Sequence, residues 1–219
     1  MATVNSFNSL VAVRGAGSQR SKVRSPRTVR SSRLTAAPAL FPAALLSDDF
    51  AAACATTGIK CRWWLAYTRP QQEQALTREL LARNVAYYLP LIHRKTMAKG
   101  RTHSVRVPLF PGYVFIWGSE EDRFAALKTN RLVSIYDVAQ GERLKQQLAQ
   151  FATAIAAGAP LVRESRLIAG ECVRIKTGLF RDLEGVVLRR NGKTELLIAI
   201  DFLHQGATME IEDGMIEAV

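Results

Sequence analysis

VPLFPGYVFIW, residues 107–117, is a strand that interrupts itself. Its second half sets Tyr113, Phe115 and Trp117 on one side, as the two-residue period of a strand requires. Its first half holds Pro108, Pro111 and Gly112. Proline has no N–H to give a ladder, and glycine weakens a strand interior. A Pro111-Gly112 step can bend the strand and re-aim its side chains, as a bulge does.

The neighbouring segments supply the other elements. RWWLAYT (62–68) alternates and is rich in aromatics, which predicts a strand. Thr68-Arg69-Pro70-Gln71 has the form of a capping box, with proline in the first turn of a helix running to about Asn84. Leu76, Leu80 and Leu81 mark its buried side, and Gln72, Glu79, Ala82 and Arg83 lie on the other. VAYYLPLI (85–92) is a second strand, and 93–106 reads as a polar, basic loop or hairpin tip before the third. Ser119-Glu120-Glu121-Asp122 caps a short helix, VSIYDV (133–138) is a fourth strand, and 141–158 is a helix ended by Gly158. The order β-α-β-β-α-β plus a helix predicts an α+β, ferredoxin-like first domain over 62–157.

A linker follows at 158–168, and then a second domain at 169–219. Five short strands, no helical period and an Asn191-Gly192 turn predict a small SH3-like β-barrel. Its 178–185 loop carries Phe180 and Leu183, apolar side chains that either dock a partner or plug the barrel end. Residues 1–61 form a basic leader expected to be disordered. Its Arg, Ser and Ala content also fits upstream sequence from a misassigned start, or an organelle transit peptide.

The net charge of +11 is uneven. Residues 61–160 hold fourteen Lys/Arg against seven acids, whereas 161–219 hold eight against ten. A basic middle suits a polyanion such as nucleic acid. Three cysteines without a CxxC pair argue against a disulfide framework and against zinc. No apolar run approaches the ~18 residues of a membrane span. His93, His103 and His204 are scattered, and no Gly-rich phosphate loop follows a strand, so no catalytic site, metal or cofactor is expected.

The aromatic strand 62–68, the PLFPGYVF run and the C-terminal VRIKTGLFRDLEGVV run together resemble the NusG/RfaH family of transcription elongation and antitermination factors, the last run as its KOW motif. The resemblance covers roughly 62–219. It implies a bacterial cytoplasmic monomer that is not an enzyme and that binds the clamp helices of the largest RNA polymerase subunit, modulating pausing or termination. Tyr67, Phe110, Tyr113 and Phe115 would line the polymerase pocket. Arg69, Gln72, Arg83 and Arg131 would meet upstream or non-template DNA, with added salt-dependent attraction from Arg94, Lys95, Lys99, Arg101 and Arg106. Phe180 and Leu183 would dock a small-subunit ribosomal protein or Rho. Glu79 and Ala82 depart from the base-reading residues of specialised members, and the His-Thr-Thr-Thr run of those members is missing near Phe124-Ala125-Ala126-Leu127. The long leader and altered helix surface point to a specialised paralogue rather than the general factor. The rival reading is a ribosome- or RNA-binding KOW protein.

Overall fold

The computed structural model describes residues 36–50, 58–98, 100–164, 170–190 and 192–219. Asn191 and Lys99, named above, lie outside the described residues. Residues 35–219 form one compact unit.

Its first sheet has five strands: β1 (Leu40–Phe41), β2 (Arg62–Thr68), β3 (Ala86–Tyr88), β6 (Tyr113–Gly118) and β7 (Leu132–Asp137). Their order is β1-β3-β6-β2-β7, and every pairing is antiparallel. Helix α1 (Glu73–Ala82) joins β2 to β3, and α2 (Glu120–Leu127) joins β6 to β7. This is the ferredoxin-like βαββαβ plan. One face of the sheet packs Trp64, Ala66, Val114 and Ile116 under α1 and α2, with Leu76, Leu80 and Ala126. The opposite face packs Trp63, Leu65 and Phe115 under α3 (Gly141–Ala156), whose Leu144, Leu148, Phe151 and Ala154 fall on one helical stripe.

Local chemistry sets the helix ends. Ser119 accepts from the Asp122 N–H while Asp122 accepts from the Ser119 N–H, a reciprocal capping box. Gly158, at φ +76°, ends α3: its N–H donates to Ile155 and the Ala159 N–H to Ala154, a Schellman motif. Asn84, at φ +57°, ends α1 in the same way, with Val85 bonding back to Leu80. The predicted cap at Thr68 is not formed. Thr68 still belongs to the strand, at a bulge opposite Leu132, with its N–H on the Gly112 carbonyl at 2.7 Å. Gln71 turns left-handed (φ +61°) and the helix starts at Glu73 with no side-chain cap.

The run 107–117 is two strands. Residues 91–108 leave the sheet as a ribbon of β4 (Leu91–Ala98) and β5 (Arg101–Pro108), so the second predicted strand divides between β3 and β4. The chain returns through 109–112, where Gly112 sits at φ +86°.

Residues 36–50 correct the expectation of a leader extending to residue 61. Leu40 and Phe41 pair with Tyr88 and Tyr87 at the sheet edge. The Leu89 N–H donates to the Ala39 carbonyl at 2.7 Å, and the Tyr87 hydroxyl to the Pro38 carbonyl at 3.0 Å. Burial pushes the Tyr87 hydroxyl up to about 12. Leu45 is 2% exposed, and Lys145 donates to Asp48 at 2.7 Å. That hydrogen bond holds the Asp48 carboxyl below its ordinary 3.8. The pair therefore supports the fold above the ordinary carboxylate range and is lost as pH falls through the lowered value.

The C-terminal part is a six-stranded antiparallel sheet: β8 (Val162–Glu164), β9 (Cys172–Ile175), β10 (Glu184–Arg190), β11 (Lys193–Ile200), β12 (Gln205–Ile211) and β13 (Ile216–Ala218). Its order is β13-β9-β10-β11-β12-β8. Five strands match the expected barrel strands. The sixth, β8, comes from within the predicted linker, because residues 162–164 pair with β12. Val173, Ile175, Leu196, Ile198 and Met209 fill the interior. Gln147 of α3 binds this part through Asp201, donating to its carboxylate at 2.8 Å and accepting its N–H at 3.3 Å. Among the described residues no helix is long and apolar enough to cross a membrane.

Candidate functional site

The Pro111-Gly112 turn builds an aromatic surface at one end of the sheet. Strand register places Tyr67 opposite Tyr113 and Leu65 opposite both Phe115 and Tyr136, all on the α3 face. Helix α3 covers the middle of that face and leaves its end open. Tyr67 is 39% exposed, Tyr113 is half-buried, and their rings lie 5.2 Å apart. A Cβ on Gly112 would come within 2.9 Å of the Tyr67 ring, and the left-handed φ disfavours a side chain there in any case. Glycine therefore lets the Tyr67 ring lie on the backbone. The Glu73 carboxylate fixes the turn by accepting the Gly112 N–H at 2.7 Å.

Phe110 and Phe115 do not line an open pocket. They are 1% and 0% exposed and belong to the core cluster against which Tyr113 packs. Phe110 stands edge-on to Phe115 at 6.4 Å and to Phe151 of α3 at 5.2 Å. The two-residue alternation puts Tyr113, Phe115 and Trp117 on one side without saying which of them α3 covers. Tyr136, 52% exposed on the same face, was missed. Its only sequence signal was the alternation of VSIYDV, which puts it on a face without saying which.

The predicted nucleic-acid residues do come together, around an acid. Glu79 accepts from Arg131 at 2.5 Å and from Arg83 at 3.2 Å, and Arg131 also donates to Gln72 at 2.5 Å. The Arg69 N–H bonds the Arg131 carbonyl at 2.8 Å, and its side chain is exposed. The patch thus presents one exposed cation beside two that Glu79 already engages. The ribbon adds Arg94, Lys95, Arg101 and Arg106, all exposed, and no acid occurs within it.

At the barrel loop the two predicted residues separate. Leu183 is 3% exposed and belongs to the interior, which removes it as a contact. Phe180 is half-buried against that interior, and Leu179 is 81% exposed. The left-handed Gly178 and Asp182 set this loop, and loop side chains follow no period from which their burial could be read. Among the described residues no group of three or more His, Cys, Asp or Glu could hold a metal ion.

Residues 61–150 match the family model NusG, described as transcription termination factor nusG. No curated protein matches the chain. Among solved structures, one described as "Domain interaction in Thermotoga maritima NusG" is 16% identical at a TM-score of 0.43, covering 73% of this chain and 98% of that one. Another, of the MjSpt4:Spt5 complex in conformation A, is 13% identical at a TM-score of 0.25, covering 72% of this chain and 97% of that one.

Proposed function

We infer, from the match of residues 61–150 to the NusG family model, a transcription elongation or antitermination factor of the specialised kind. It binds the clamp helices of the largest RNA polymerase subunit and modulates pausing or termination. One observation carries this reading: the Tyr67–Tyr113 pair stands half-open at the end of an otherwise covered sheet face. Aromatic side chains bury much area at low entropic cost, which makes them effective anchors for a helical tip. Phe110 and Phe115 belong to the core against which Tyr113 packs, and Tyr136 extends the pair on the same face. No catalytic residue, metal or cofactor enters this function.

Tyr113→Ala in the full chain is expected to weaken RNA polymerase binding at least tenfold, ~1.4 kcal/mol, in a pull-down or titration beside wild type. Equal retention of polymerase by both proteins would remove this surface from the interface.

The patch of Arg69, Gln72, Arg83 and Arg131 supports contact with upstream or non-template DNA, and the Phe180 loop supports docking of a ribosomal protein or Rho. Glu79 restrains two of the cations. Glu79→Gln is therefore expected to raise affinity for a labelled DNA oligonucleotide a few-fold and to steepen its salt dependence by about one to two in log–log slope. A slope identical to wild type would show that Arg83 and Arg131 do not reach phosphate. The basic ribbon favours a second reading, RNA or ribosome binding. Co-sedimentation with ribosomal subunits at high salt, without polymerase, would establish it.

A further inference from the structure

A groove of about 460 Å³ lies between the β4–β5 ribbon and β8, lined by neither tyrosine and by no residue of the Glu79 patch. Consecutive residues line its walls: 92–95 from β4 and 161–163 at β8. Side chains alternate faces along a strand, so a wall of consecutive residues is a strand seen edge-on. Both are edge strands. β8 ends its sheet and pairs with β12, and β4 pairs with β5 in a sheet of two. β4 leaves its other edge without a ladder among the described residues, and such an edge offers unpaired main-chain donors and acceptors. The floor is apolar, with Leu109, Pro111 and Leu161. The rim carries His93, Arg94, Lys95 and Arg163, and no carboxylate lines the groove.

We propose that this groove captures an extended acidic peptide as an added strand. The peptide backbone pairs with the open strand edge, its carboxylates meet Arg94, Lys95 and Arg163, and alternate apolar side chains rest on the floor. Strand addition draws affinity from main-chain hydrogen bonds and specificity from the flanking side chains. The volume falls within the ~300–1,000 Å³ of ligand sites. A nucleic acid fits less well. Its sugar–phosphate chain has no regularly spaced N–H donors and carbonyl acceptors to satisfy a strand edge, and His93 is the one aromatic ring in the lining, too little for a stacking platform.

The test is fluorescence anisotropy of the full chain with a short labelled peptide of alternating Asp and Val. Saturable binding is expected. It should weaken at least about tenfold in an Arg94→Glu/Arg163→Glu variant and hold in the exposed barrel control Lys176→Glu. A peptide N-methylated at alternate amides keeps its charge but cannot complete a ladder, and it should bind far more weakly. That arm needs no altered protein, so misfolding of the double variant cannot mimic the result. No binding of the peptide overturns the proposal. So does equal binding of the N-methylated peptide, which would mean charge attraction alone, and so does a labelled oligouridine that displaces the peptide and binds more tightly.

Discussion

Phe115→Ala lowers the unfolding free energy of the full chain by about 3–5 kcal/mol, measured by urea denaturation, while Tyr113→Ala, two residues away, costs less than half as much. Phe115 has no exposed surface and lies in register with both Leu65 and Tyr88. Its ring completes a chain of edge contacts through Phe110 to Phe151. Three elements meet at that ring, so truncation leaves a hole that no single neighbour can fill. Tyr113 is half-buried and rests on Tyr67, which can shift into the space. Stability and polymerase binding should therefore separate along one strand, with position 115 governing the first and 113 the second. Unchanged urea stability in Phe115→Ala, together with lost polymerase binding, would place that ring in the contact surface after all.

Leu45→Ala is expected to cost about 2–5 kcal/mol by the same measurement, although Leu45 lies outside the family-matched segment. Its side chain is buried with Trp63 in the core under α3. A space of about 210 Å³ already adjoins it, bounded by Trp63, Trp117 and Lys145. The residues around it are anchored at both ends, by the β1–β3 pairing before it and by Asp48–Lys145 after it. The truncated site therefore cannot close by simple retreat of the backbone. If 36–50 merely rested on the domain, Leu45→Ala would unfold at the wild-type urea concentration.

The elements with strong periods were legible. The stripe of α3 and the Ser119 cap are dictated by residues within a few positions of each other. What escaped depended on partners far away in the chain. Thr68 has the chemistry of a cap, but the bulge against Leu132 keeps it in a strand. Leu40 and Phe41 are too few to show any period, and they become a strand only because the edge of β3 is open to them. Glu79 neutralises Arg131 from 52 residues away, which no local pattern announces. Phe110 was expected at a surface from the family resemblance and Leu183 as an apolar residue in the matching loop, and neighbouring elements cover both.

The turn at Gly112 has an architectural consequence. Below the ribbon the chain is closed without it: Tyr88 already pairs with Phe115, the Leu109 N–H bonds the Pro90 carbonyl at 2.8 Å, and Gly112 is held from both sides by Thr68 and Glu73. The ribbon is thus an interchangeable cassette mounted on a self-sufficient seam. Its length, charge and tip chemistry can be exchanged while the ladder beneath keeps its register, because loop closure grows costlier only slowly with length. Diversification of what this scaffold touches can proceed at 93–106 while Leu91 and Ile92 stay in the packing beneath the ribbon.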